Sequence, residues 1–375
     1  MSFRKTIYVT AALSLAALAS AGLARAADLP VKAKKPVADI PFFLVIDDRV
    51  TFSYIFTGTD PGVFSLKPGG GGFNGNTAKQ VYSFTHFDVW AYGTNFFTIS
   101  AYKSDHNDPA NPCINSGIIA STNNTSQANC GGATEIYGLF RSTFGWNEIF
   151  GTKMFSMGPL HNISFEVGGD IEGENNYLAP AKRDAVAGLQ FAFDLPYKGY
   201  INVTPLAYKE INHNAFNQCG SITAGTIPGL NCNLDGDTNY HVTWAVEVNY
   251  FMDLGFLPEN MQYFAVSGRA GWYGPKGDAN GLPALSGVGF ASTATKTELN
   301  SEPIRLTFDA SKAVWGQKYS HFVDVWVAYR YWQNKFGLDH NAELGVCNAA
   351  LPNGTIVSTH SCTEQSLYSG ITVKF

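Results

Sequence analysis

From residue 49 to residue 375, apolar and polar positions alternate in one segment after another. Successive side chains leave a β-strand on opposite sides, so alternation marks a strand with one apolar face and one wet face. Twelve segments carry it: 49–57, 80–92, 96–104, 135–144, 162–172, 185–195, 199–211, 240–254, 261–273, 302–313, 319–334 and 365–375. In 319–334, Val323, Val325, Val327 and Tyr329 share one face, and Asp324, Trp326, Arg330 and Trp332 the other. In 240–254, Tyr240, Val242, Trp244, Val246, Val248 and Tyr250 oppose His241, Thr243, Ala245, Glu247, Asn249, Phe251 and Asp253. In 302–313, Ile304, Leu306 and Phe308 oppose Arg305, Thr307 and Asp309. The chain closes in the same manner, with Leu367, Ile371, Val373 and Phe375 on one side.

The connections sort by parity. Those on one side are brief, at 93–95, 196–198, 258–260 and 314–318, with 145–161 longer. Those on the other side are long, at 58–79, 105–134, 173–184, 212–239, 274–301 and 335–364. An even strand count with short turns on one side and long loops on the other predicts an all-β fold. It is a transmembrane antiparallel β-barrel of twelve strands, with short periplasmic turns and long extracellular loops. A soluble sandwich would alternate as well, but would not segregate its loops. The last strand must pair with the first, so that neither leaves an open edge.

Composition agrees. Aromatic residues make up 14% of the chain and charged residues 15%. Beyond the N-terminus no apolar run approaches the roughly 18–20 residues of a membrane-spanning helix; the longest, Phe42-Phe43-Leu44-Val45-Ile46, is far shorter. A closed barrel is then the remaining way to cross a bilayer. At the N-terminus, Arg4 and Lys5 precede an apolar run over 7–23, and Ala24-Arg25-Ala26 offers small residues for cleavage. Residues 1–26 read as a secretory signal peptide, 27–48 as a Pro- and Lys-bearing periplasmic lead-in, and 49–375 as the barrel. These readings place the protein in the outer membrane of a Gram-negative bacterium. Loss of Arg4, Lys5 and Arg25 leaves 25 − 3 = 22 bases against 30 acids, a net charge near −8. That balance argues against a nucleic-acid partner.

Six cysteines in an exported chain read as disulfides. Cys113 and Cys130 share the second long connection, Cys219 and Cys232 the fourth, and Cys347 and Cys362 the sixth, which predicts three bridges within loops. No Cys/His spacing suggests zinc. Asn233, Asp235, Asp237 and Asn239 alternate as calcium ligands would, yet lack the glycine and glutamate that such a loop needs. No cofactor or metal is expected.

Alternation also nominates the inward face. It comprises Phe84, His86, Asp88, Trp90, Arg141, Glu247, Arg305, Asp324, Trp326, Arg330 and Trp332, together with Glu166, Asp170, Gln190, Asp194, Asn249 and Arg269. Acids and bases are mixed, and a ring of arginines of the kind a phosphate pore would want is missing. Trp326, Trp332, Trp90 and Phe84 could stack on a flat ring, at about 1–3 kcal/mol for each base. Asp88, Asp324, Arg330, Arg305 and Glu247 could hydrogen-bond hydroxyls. The plainer reading is that inward charges pair with one another and fill the lumen.

Three stretches carry a resemblance: VWVAYRYWQNKFGLDHNAELG at 325–345, EIYGLFRSTFGW at 135–146 and ISFEVGGDIEGENNYLAPAKRDAVAGLQFAFDLP at 163–196. They resemble the penultimate strand, the fourth strand and the following hairpin of the nucleoside-specific channel-forming (Tsx-like) proteins of the outer membrane. The likeness implies a monomeric twelve-stranded barrel passing nucleosides by passive, selective diffusion. The long cysteine-bearing loops and the lead-in depart from that family. Alternatives are a general small-solute porin, or a surface or adhesion barrel working through its loops, including as a phage or toxin receptor. An outer-membrane phospholipase is also a twelve-stranded barrel, but its chemistry needs His and Ser on one strand face, two residues apart. His161 and Ser164 are three apart, Ser320 and His321 adjacent, and catalysis is not expected.

Overall fold

The computed structural model describes residues 41–104, 132–175, 181–213, 234, 236–277, 294–342 and 345–375. Seventeen strands follow one another: β1 (Phe43–Thr59), β2 (Ser65–Leu66), β3 (Phe73–Asn74), β4 (Asn76–Trp90), β5 (Gly93–Ser104), β6 (Thr134–Gly145), β7 (Leu160–Glu174), β8 (Ala181–Leu195), β9 (Gly199–His213), β10 (Asp237–Asn239), β11 (Thr243–Asp253), β12 (Phe264–Tyr273), β13 (Glu298–Asp309), β14 (Val323–Gln333), β15 (Asn348–Ala350), β16 (Ile356–Ser358) and β17 (Thr363–Lys374). Setting aside β2, β3, β10, β15 and β16, the other twelve form one antiparallel sheet. Its order is β1-β4-β5-β6-β7-β8-β9-β11-β12-β13-β14-β17. The last strand returns to the first, Arg49 facing Lys374 and Ile55 facing Tyr368. The chain is a closed twelve-stranded antiparallel β-barrel, and each expected segment overlaps one of its strands.

The outer face is apolar along its length. Phe52, Tyr82, Phe140, Phe165, Ile171, Ile304, Leu306, Val325, Val327, Leu367 and Ile371 are all exposed, and so is Phe375 at 69%. A continuous apolar band of this size has no place in water. Its solvent is hydrocarbon, in which closure leaves no strand edge unpaired.

The structure differs from the pattern-based boundaries in places with identifiable causes. Pairing in β1 begins at Phe43, opposite Trp90, rather than at 49. β13 stops at Asp309 instead of running to 313, because Asp309 caps a short helix, Ala310–Trp315, accepting from the Lys312 N–H at 2.8 Å. The strand expected at 240–254 is broken. β10 pairs with β9 at Asn239–Ile211 and β11 resumes at Thr243–Tyr208, a one-residue slip. Such a slip exchanges the faces: Tyr240 turns inward and is buried, whereas Trp244 stays outside.

The larger correction concerns β4. Phe84, His86, Asp88 and Trp90, expected inside, face outward. Their cross-strand partners show it: Phe84 pairs with the exposed Val50, and its ring lies 6.4 Å from that of Phe375. Ser83 and Thr85 take the lumen side and bond Ser100 and Thr98 on β5. His86 and Asp88 lie at the inner rim, where strands leave hydrocarbon and both faces meet polar surroundings. There they form a ladder: His86 Nδ1 contacts Asp48 at 2.6 Å, Nε2 contacts Asp88 at 3.1 Å, and Asn95 donates to Asp88 at 3.0 Å. Trp90 stacks on Phe42 at 5.8 Å, as a girdle residue would.

Inner connections are compact. Pro196-Tyr197-Lys198 closes the β8–β9 hairpin with φ of 57° and 59° at Tyr197 and Lys198. Between β13 and β14, His321 Nδ1 sits 3.1 Å from Asp324. That hydrogen bond holds the His321 pKa above its ordinary value, against partial burial, with Asp309 and Asp253 adding to the rise. The chain's start at 1–26, most of the 27–48 lead-in, and Cys113, Cys130, Cys219 and Cys232 lie outside the described residues. The third expected bridge, Cys347–Cys362, is formed.

Two outcomes follow from the fold. Val327→Arg, at the middle of the apolar band, should destabilise the barrel by roughly 2–4 kcal/mol in urea titrations with lipid vesicles. A change within about 0.5 kcal/mol, as at an ordinary wet surface, would contradict the band. Charged His321 contributes stability that is complete below pH 6.5, its unperturbed value, and fades as pH climbs through the raised one. Urea midpoints should therefore fall with rising pH in the native chain and stay flatter in His321→Gln; parallel profiles would refute the assignment.

Candidate functional site

Inward parity turns the lumen into a lattice of charged and aromatic side chains. Arg141 of β6 reaches across to Glu247 of β11, donating from Nε at 3.1 Å and from Nη2 at 2.7 Å. Its Nη1 donates to Asp170 at 2.7 Å. Gly168, opposite Arg141, makes room: a Cβ there would come within 2.7 Å of Arg141 Cδ. Tyr273 and Tyr137 donate to Glu247 and Asp170 at 3.0 Å each, and Gln190 donates to Glu166 at 2.7 Å. The result is a strut along one side of the lumen, held by a two-pronged guanidinium–carboxylate contact.

Outside the strut, lysines near the ends of the outer connections tie those connections down. Lys79 donates to Asp60 and Glu135, each at 2.9 Å. Lys276 pairs with Glu210, which also accepts from Tyr208, and its ammonium lies 5.0 Å from the Tyr240 ring centre. Lys335 donates to Glu364 at 2.6 Å and to the Thr59 carbonyl at 2.5 Å. Above them Val63, Phe64, Phe73, Ala133, Ala349 and Leu351 form an apolar cap joining the first, second and sixth outer connections. A small cavity remains beneath, bounded in part by Tyr102, Glu172, Arg330 and Trp332.

Seven of the eleven residues nominated from sequence face the lumen: Arg141, Glu247, Arg305, Asp324, Trp326, Arg330 and Trp332. Two of them line the cavity, Arg330 and Trp332. Trp326 is inward but covered. The Arg305 guanidinium lies 3.8 Å over its ring, Tyr368 meets its edge at 4.9 Å, and its Nε1 donates to Thr372 at 3.0 Å. Trp332 donates to Glu298 at 2.8 Å and carries Lys335 on its face at 4.3 Å. The sequence reading missed Lys79, Glu135, Lys276, Glu298, Lys335 and Glu364. Each lies at or just beyond a boundary of an alternating segment. Following the parity of Arg141 to the start of its segment would have reached Glu135, and continuing the inward parity of 365–375 by one residue would have reached Glu364. Lys79 follows the opposite parity to the one nominated on β4, and Glu298 lies beyond a bulge between Ser301 and Ile304.

Asp309, His321 and Asp324 bring ligand atoms within 4.8 Å of one another at the inner mouth. Asp309 spends both oxygens inside the protein, on Ser311 and the Lys312 N–H and on Ser320 and the His321 N–H. The trio organises a turn, and no metal is assigned to it.

No protein-family model matches the chain, and no curated protein matches it. Among solved structures it is similar to the β domain of the Bordetella autotransporter BrkA, at 7% identity over 88% of this chain and 99% of that one, TM-score 0.37. It is similar to a bacterial polysaccharide outer membrane secretin, at 8% identity over 88% and 98%, TM-score 0.32. It is also similar to OccK5 (OpdH) of Pseudomonas aeruginosa, at 8% identity over 89% and 99%, TM-score 0.25. These superpositions are loose, and the barrel assignment rests on the hydrogen-bond register itself.

Proposed function

We propose that the protein is an outer-membrane channel for small polar solutes, closed in this conformation by its own ion-paired side chains. One observation carries the reading: beside the apolar clusters around Ile55 and Val81 and around Val186 and Leu206, the outer half of the lumen buries many charged side chains. Lys79, Lys182, Glu210, Lys276, Glu298, Lys335 and Glu364 are all buried there. A barrel that only needed filling would be as stable, or more so, with apolar residues, because buried ion pairs seldom repay their desolvation. A plug of charges separates into water when the loops shift, and the path then conducts.

Nucleosides are the solute class this reading puts first. What supports it is the pairing of opposite charges along the lumen, which leaves no strong field of one sign, and the resemblance of three strand-bearing stretches to nucleoside channels. Arg330 and Trp332 in the outer cavity offer a guanidinium and an indole to such a solute. Trp90 and Phe84 offer nothing from the outer face, and Trp326 is covered by Arg305. The apolar cap over the mouth, together with the Cys347–Cys362 bridge in the sixth outer connection, favours a second reading in which the outer surface is itself a receptor.

Planar-bilayer recording separates these. The channel reading expects small, flickering conductance that adenosine or thymidine reduces and that glycine or sucrose leaves unchanged. A large steady conductance indifferent to all four would make it a general porin. Silence in the native chain and also in Lys276→Ala, whose plug has lost an anchor, would leave the receptor reading.

A further inference from the structure

Four of the charged groups bounding the outer cavity are almost wholly buried: Lys79, Arg330, Lys335 and Glu364, at 2–8% exposure. Arg330 Nε and Glu364 Oε1 form an ion pair at 2.5 Å, so each of these buried charges has its partner. Asp60 Oδ2, on the same wall, is different: it is buried with no hydrogen-bond partner among the described residues, while Oδ1 accepts from Lys79. A buried carboxylate oxygen left open in this way needs an explanation, and a ligand's donor group would supply one.

Lys335 shows what such a ligand resembles. Its ammonium has a carboxylate oxygen of Glu364, the Thr59 carbonyl and the face of Trp332 around it. Two oxygens and an aromatic face make a full set of partners for a primary ammonium. The backbone is bent to deliver it: φ is 52° at Asn334 and 58° at Phe336. Asparagine tolerates the left-handed region, but phenylalanine is strained there, and strain of this sort collects at ligand clamps and switches.

We propose that the cavity is a binding site for a small solute bearing a primary ammonium group, and that Lys335 fills the ammonium position until such a solute displaces it. The exchange keeps the charge of the pocket constant, returns the Lys335 ammonium to water and lets the turn at Asn334–Phe336 relax. A further N–H or O–H group on the solute would meet the open Oδ2 of Asp60. A neutral molecule of the same shape would leave Glu364 and the Thr59 carbonyl short of a donor. An anion in place of the Lys335 ammonium would face four carboxylates, those of Asp60, Glu135, Glu172 and Glu364, against two cations, Lys79 and Arg330. The proposal goes beyond the channel reading and holds whether or not the solute crosses.

Isothermal titration calorimetry on the full chain, folded in detergent micelles, tests it with benzylammonium chloride, benzyl alcohol and benzoate. Lys335→Gln should bind benzylammonium about tenfold more tightly than the native chain, since the internal competitor is gone. Adding Trp332→Ala should reverse that gain, and neither benzyl alcohol nor benzoate should bind. Lys335→Met, which keeps the aliphatic stem, serves the same comparison if the glutamine variant does not show the heat-dependent gel shift of a folded barrel. Equal affinity for benzylammonium in the native and Lys335-substituted chains, or equal binding of benzyl alcohol, would overturn the proposal. Neither readout depends on conduction.

Discussion

Inside a bilayer a backbone N–H or C=O has no water to turn to, and each one left unpaired costs several kcal/mol. A strand cannot meet that requirement alone, and a sheet meets it only when it has no edge. The return of β17 to β1, over the register from Arg49–Lys374 to Ile55–Tyr368, is therefore the contact on which everything else rests. Closure fixes which side chains face inward. It also makes distant parts of the sequence neighbours: Thr51 and Thr372 share a hydrogen bond, and Ser53 donates to Tyr368.

What fills the enclosed space follows from burial and charge together. A charge in the lumen needs a partner or water. Towards the outer end partners prevail, and the Arg141–Glu247 strut and the pairs made by Lys79, Lys276 and Lys335 recruit residues from non-adjacent strands and loops. The lattice therefore does two jobs: it neutralises the interior, and it tethers the first, fifth and sixth outer connections to the barrel wall. The cap over the mouth is apolar where the first, second and sixth connections meet one another and ionic where the connections meet the lumen.

The fold was legible because the apolar band in lipid imposes a two-residue period that no local propensity needs to assist. In β14 the alternation of Val325, Val327 and Tyr329 against Trp326, Arg330 and Trp332 reads off both faces correctly. Legibility failed where the lipid constraint ends. Both faces of β4 carry aromatic and polar residues near the inner rim, and cross-strand partners such as Phe375 and Asp48, far off in sequence, decide the side. The slip between Asn239 and Thr243 leaves no mark in the residue types, whereas Asp309 followed by a helix-forming Ala310-Ser311-Lys312 does, as a helix cap. The site was harder still. Trp326 looks like an open stacking platform until the fold lays Arg305 across it, and the lysines that matter most sit in stretches whose period had already lapsed.

Closure can be measured directly. Tyr54 and Ser369 face one another across the seam between β1 and β17, at the separation of an antiparallel pair, which lies within disulfide reach. With Tyr54→Cys and Ser369→Cys introduced together, mild oxidation of the membrane-inserted protein should join the two peptides within one chain, as read by mass spectrometry after proteolysis. Persistent free thiols at both positions in the folded protein, or linkage only between chains, would contradict the closed barrel.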